Sequence, residues 1–146
     1  MKNNHYPKRD PIKDYLPLPN EIFFLNLSYG EIALYSYLLY RENRESFQCY
    51  PSYKTIGQAL KMSKNTVSKY VRQLEEKQLI STKPTNVYTS VGEKRNGNLL
   101  YTILPIEHAK KYFYDRQLEN ADRTIAENKY KNRIEKLNLK PDRQVG

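Results

Sequence analysis

The stretch Pro51-Ser52-Tyr53-Lys54-Thr55-Ile56-Gly57-Gln58-Ala59-Leu60-Lys61-Met62-Ser63-Lys64-Asn65-Thr66-Val67-Ser68-Lys69-Tyr70-Val71-Arg72-Gln73-Leu74 decides how the rest of the chain is read. Ser52 and Ser63 each stand where a hydroxyl can accept a hydrogen bond from the first turn of a helix. After Ser52, the apolar residues Ile56, Ala59 and Leu60 predict one buried stripe. After Ser63, Val67, Tyr70, Val71 and Leu74 recur at i, i+3, i+4 and i+7, the spacing of a second stripe. Lys61-Met62-Ser63 leaves a three-residue break between them. Two short helices around such a turn outline a helix-turn-helix.

The opposite flank of the second helix carries Lys64, Asn65, Thr66, Ser68, Lys69 and Arg72, with no acidic residue among them. Glu75 and Glu76 come only after two turns, where a helix docked in a groove would be leaving it. Asn65 suits a bidentate pair with adenine, and Lys69 or Arg72 can donate to guanine or to phosphate. Thr66 and Ser68 can bond a base or a phosphate. The free amides at the helix start, near Ser63 and Lys64, suit a phosphate. Tyr53, Lys54 and Thr55, at the start of the preceding helix, are placed to touch a nucleic-acid backbone. The bland alternative is that any three-helix domain has an amphipathic third helix and that surface lysines are common.

Working outward, Ser28-Tyr29-Gly30-Glu31 has the capping-box spacing, and Ile32, Tyr35, Leu38 and Leu39 follow at helical intervals. This predicts a first helix ending near Arg41–Asn43. Residues 1–20 read as an extended arm, because Pro7, Pro11, Pro17 and Pro19 block helix and central strand alike. Asn20 is placed to cap a short turn through Leu25. Past Ile80 the pattern turns β-prone. Val87–Val91 and Leu99–Ile103 predict a hairpin whose basic tip runs from Gly92 to Asn98 and contains Asn96-Gly97. Lys83, Lys94 and Arg95 would set charge on that hairpin beside a neighbouring groove. No Gly or Pro occurs from Ile106 to Lys140. Ile106, Ala109, Tyr112 and Phe113 predict a helix packed on the domain. Residues 114–146 are too sparse in apolar residues to bury themselves and read as a charged helical arm that dimerises or as a frayed tail.

The chain has 146 residues and a net charge of +9, with 25 Lys and Arg against 16 Asp and Glu. The surplus is local: residues 51–104 hold nine basic and three acidic residues, whereas residues 1–50 hold six of each. A surplus concentrated on one folded segment is the footprint of a polyanion binder. Mean hydropathy is −0.87, and no apolar run approaches a membrane span of about 20 residues. The N-terminus has no secretory pattern, so a cytoplasmic setting is expected. The single cysteine, Cys49, excludes an internal disulfide framework and is read as a buried inert thiol. His5 and His108 lie far apart, His108 reads as a surface residue, and no nucleophile, base and orienting group can be drawn together. The chain therefore reads as a non-enzyme with no metal, no cofactor, no membrane contact and no evident small-molecule ligand. Of the fourteen tyrosines, Tyr35, Tyr70 and Tyr101 are assigned to the core, and Tyr37, Tyr40 and Tyr53 to a surface.

The run from Cys49 to Ile80 resembles the winged helix-turn-helix family, in which a "PSY-T-I-x-x-x-L-x-x-S-x-x-T-V" stretch precedes "L-E-E-x-x-L-I". The resemblance covers roughly residues 15–104. It implies a mainly α fold with a small β-hairpin wing: a three-helix core plus wing, over residues 21–113, and a C-terminal helical arm. It also implies sequence-specific binding of double-stranded DNA, as in bacterial and phage transcription regulators. Replication initiators of plasmids and mobile elements share the motif, and winged helices also serve as protein-interaction modules. Both alternatives stay open here. The family often has Gly where Gln78 stands, so the turn into the wing is expected to differ. It commonly has Ala where Gly57 stands, and Gly57 is expected to permit close approach of two helices.

Overall fold

The computed structural model describes residues 7–11 and 13–139. The parts of the N-terminal arm at residues 1–6 and 12, and of the C-terminal tail at residues 140–146, lie outside the described residues.

Three helices follow a 3-10 turn over Asn20–Phe24. Asn20 is the first residue of that turn, not its cap; Pro19 precedes it and no side chain caps it. α1 spans Tyr29–Arg41 and starts on a complete capping box between Ser28 and Glu31. A short strand β1, Gln48–Cys49, leads to α2, Tyr53–Leu60, and α3, Lys64–Glu76. Ser52 and Ser63 accept the amides of Thr55 and Thr66, as the spacing predicts. α3 buries Val67, Tyr70, Val71 and Leu74. α2 departs from expectation: its buried positions are Ile56 and Gly57, Leu60 is half-buried and Ala59 is exposed. The reason lies in the turn. Lys61 closes α2 at φ 57°, and the Met62 carbonyl is folded back onto Gly57, where a Cβ would collide with it. Gly57 therefore serves the turn between the helices rather than a helix–helix crossing.

The wing has two tiers. β2, Ile80–Lys83, pairs antiparallel with β5, Leu100–Ile103, in the register Ile80↔Ile103 to Lys83↔Leu100, and β1 lies on the other edge of β5. β3, Asn86–Tyr88, and β4, Lys94–Asn96, form a separate distal ladder. The expected pairing of Val87–Val91 with Leu99–Ile103 is thus incorrect. Burial decides the difference: Ile80 and Ile103 face each other in the core, which fixes the lower ladder. Pro84 lacks a donor and ends β2. Asn96-Gly97 is not the hairpin turn. The turn lies at Thr89–Glu93, where Gly92 adopts φ 82° and donates to the Thr89 carbonyl. Gly97 instead passes so close to Thr85 and Val87 that a Cβ would not fit.

The core gathers Ile22 and Leu25, the inner faces of α1 to α3, Leu79, Ile80, Tyr101, Ile103 and Ala109. Tyr35, Tyr70 and Tyr101 are buried, as assigned. Cys49 is buried too, and burial pushes its thiol up to about 11. α4 runs from Ile106 to Leu139. The chain divides into two units, Met1–Lys110 and Lys111–Gly146. In the second unit α4 exposes Tyr114, Leu118, Ile125, Tyr130, Ile134 and Leu137. Among the described residues, no helix is long and apolar enough to cross a membrane.

Candidate nucleic-acid interface

The site begins with the packing that aims α3. Tyr70 lies against Gly30 of α1, where a Cβ would collide with its ring. At the C-terminal end of α3, Lys77 Nζ donates to both oxygens of Glu31, at 3.0 and 2.8 Å, and to the Asn26 carbonyl at 3.3 Å. Glu31 is buried, and its Oε1 also closes the capping box with the Ser28 amide and hydroxyl. One carboxylate therefore starts α1 and anchors the end of α3. Sequence reading missed this pair, because nothing at a separation of 46 residues announces it. It also removes Lys77 from the free positive charge.

With α3 held by α1 at its middle and at its C-terminal end, its other flank stays uncovered. Lys64, Asn65, Lys69 and Arg72 are exposed, and Thr66 and Ser68 half-buried. The hydroxyls of Ser63 and Thr66 stand 2.9 Å apart within the cap, and the Lys69 ammonium sits 5.3 Å from the Tyr70 ring centre. Glu75 is turned away: its Oε1 accepts the amide and hydroxyl of Thr82, at 3.1 and 2.8 Å, and so clamps the start of β2. Glu76 is exposed at the end of the helix.

The start of α2 reaches the same region. Lys54 is exposed and Tyr53 half-buried, while the Thr55 hydroxyl is 2.9 Å from Ser52 Oγ. Tyr53, Lys54 and Lys64 line a cleft of about 480 Å³ together with Pro51, Ser52 and the wing residues Gly97, Asn98 and Leu99. Asn98 went unnoticed in the sequence. Its Nδ2 donates to the Tyr50 carbonyl at 3.2 Å, and its own carbonyl accepts from the Thr85 hydroxyl. These bonds seat the base of the wing beside α2, a juxtaposition set by strand register alone.

The wing cations are brought less closely together. Lys83 ends β2, whereas Lys94 and Arg95 sit within β4 rather than on the tip. Lys94 is paired with Tyr88 and Arg95 with Val87, so the two cations point to opposite faces of the ladder. Arg95 also lies 3.8 Å from the Glu93 carboxylate in an exposed contact of little energetic weight.

The likeness to known proteins follows the same outline. Residues 25–80 match a family described as a helix-turn-helix domain. A possible transcriptional regulator from Methanosarcina mazei has a similar structure: TM-score 0.50 and 21% identity, over 73% of this chain and 80% of that one. That likeness is one of fold. The fold is a winged helix-turn-helix. Two structures of MepR from S. aureus are also similar. A mutant bound to an oligodeoxyribonucleotide has TM-score 0.40 and 20% identity, over 82% of this chain and 79% of that one. A MepR–DNA complex has TM-score 0.36 and 18% identity, over 78% and 86%. No curated protein matches the sequence.

Proposed function

We propose that the chain binds double-stranded DNA sequence-specifically and regulates transcription in the cytoplasm. The observation that carries this reading is the flank of α3. Lys64, Asn65, Lys69 and Arg72 lie on one exposed helix face, whose acidic residue, Glu76, comes only in the last turn, on a helix locked to its own domain from the other side. α3 enters the major groove. Asn65 and Arg72 read base edges, with Ser68 and Thr66 beside them. Tyr53, Lys54, Thr55, Ser63 and Lys64 hold the phosphates alongside, and Lys69 adds charge to the same strand. Lys83, Lys94 and Arg95 carry the wing toward the adjoining groove. Two copies act together, with α4 supplying a seam from Tyr114, Leu118, Ala121 and Ile125, which share one helix face.

Selection of bound sites from random duplex DNA tests the reading. Asn65→Ala or Arg72→Ala should relax preference at one or two base positions, each with a loss of about 1–3 kcal/mol. Lys94→Ala should weaken every sequence alike and lower the salt slope by about one. Binding that shows no salt dependence and is unaffected by all three substitutions would refute it. A palindromic selected site supports the paired regulator, and an array of direct repeats supports an initiator instead.

A further inference from the structure

The outward face of α1 carries no charged residue over six positions. Gly30, Glu31, Leu34, Tyr35, Leu38 and Leu39 point into the domain. By helix geometry the opposite face holds Tyr29, Ile32, Ala33, Ser36, Tyr37 and Tyr40, of which Tyr29 and Tyr40 are exposed and the four between them half-buried. None of these six is charged, in a chain where 28% of residues are. Tyr29 is 85% exposed and Tyr40 67%. The Ser36 hydroxyl is turned into its own helix, donating to the Ile32 carbonyl at 2.7 Å, so its outward surface is small and apolar. At the rim, Arg41 donates to the Tyr37 hydroxyl at 3.0 Å and stacks 5.9 Å over that ring. Tyrosine and a stacked arginine are types enriched at the buried centres of interfaces, from which Lys, Asp and Glu are depleted.

The order of these residues identifies the occupant. Read from either end, the face runs large, large, small, small, large, large. A two-fold axis midway between Ala33 and Ser36 sets Ala33 against Ser36 of the second copy, Ile32 against Tyr37, and Tyr29 against Tyr40. The small pair lets the helices approach closely at the centre, and the aromatic residues close around both ends. No like charges meet across the six positions. Residues 1–6 and 140–146 offer no such match in sequence, being mostly polar. We propose that this face is a self-association surface on which α1 packs antiparallel against α1 of a second copy. Tyrosines bury on the order of 150–250 Å² each. Matching the full face therefore removes on the order of 1,000 Å² in total, the low end for a specific contact, and association is reversible. The contact leaves α3 free, because α3 packs against Gly30 and Glu31 on the other side of α1. It is separate from the α4 seam and does not depend on DNA binding.

Sedimentation of the full chain without DNA, from about 1 to 100 μM, tests this. The wild-type chain should self-associate. Ser36→Glu, which sets two carboxylates against the small centre, should weaken that step at least tenfold, and Ser36→Ala should not; thermal melting verifies that both variants are folded. Oxidation of the Ala33→Cys/Ser36→Cys double variant should link two copies covalently, the native thiol being buried. A wild-type chain that stays monomeric throughout overturns the proposal. The same series in a Leu118→Glu/Ile125→Glu background removes the α4 seam: association there that survives Ser36→Glu, or a background chain that no longer associates at all, overturns the proposal.

Discussion

Single side chains hold this domain in its working shape, and two of them are exacting. Gly30 is the only residue type that leaves room for the Tyr70 ring. Gly30→Ala should cost about 1–3 kcal/mol, the usual penalty for overpacking a close contact, despite its gain in helix propensity. Denaturant unfolding measures this directly. The second is Glu31, whose carboxylate is almost wholly enclosed with Lys77. Lys77→Met strands that charge in the interior and should cost about 2–4 kcal/mol. Adding Glu31→Gln to it should recover part of the loss, since the amide keeps a cap for Ser28 without a charge to satisfy. Equal stability of the single and double variants would show that the unpaired carboxylate carries no penalty. Neither partner of these contacts stands near the other in sequence, so the capping role of Glu31 was legible and its second role was not.

At the scale of elements, helices announced themselves and strands did not. Ser28, Ser52 and Ser63 each precede a local periodic stripe, and all three act as caps. Helical bonds are local, so a local pattern suffices. The wing depends on which distant residues meet, and the β-prone run Val87–Val91 misled because its partner was chosen by Ile80. The turn into β2 is equally instructive. Gln78 takes φ 62°, the left-handed conformation that glycine adopts without strain, so the turn is retained although glycine is absent. Gln78→Gly should therefore raise stability by up to about 1 kcal/mol, seen as an upward shift in the denaturation midpoint with unchanged slope. A loss of stability would mean that the Gln78 side chain makes a contribution larger than the backbone strain.

At the scale of the whole molecule, the polar groups left inside set a limit on the alkaline side. Burial pushes the Cys49 thiol from its ordinary 9.0 to about 11, and the Glu42 carboxylate adds to the shift. Burial likewise lifts the Tyr35 hydroxyl from 10.0 to about 12. Both groups are held in the neutral, protonated form by the fold. The stability this represents is fully present below pH 9 and is lost as pH rises through 11, because the unfolded thiol ionises first. For Cys49 this loss is on the order of 2–3 kcal/mol. The melting temperature should fall between pH 9 and 11, and Cys49→Ala should flatten that fall whatever its effect at neutral pH. An unchanged slope in the variant would assign the alkaline loss elsewhere.

The division of labour between chain order and folding follows from the range of the forces involved. Helix positions, their caps, the turn between α2 and α3, and the cationic flank of α3 are written within stretches of a dozen residues, where neighbours along the chain are neighbours in space. The two-tiered wing, the placing of Asn98 beside Tyr53 and Lys54, the withdrawal of Lys77 into an ion pair and the opposed directions of Lys94 and Arg95 had to await folding. Each is a meeting of residues far apart in the chain, settled by burial and strand register, which no local pattern encodes.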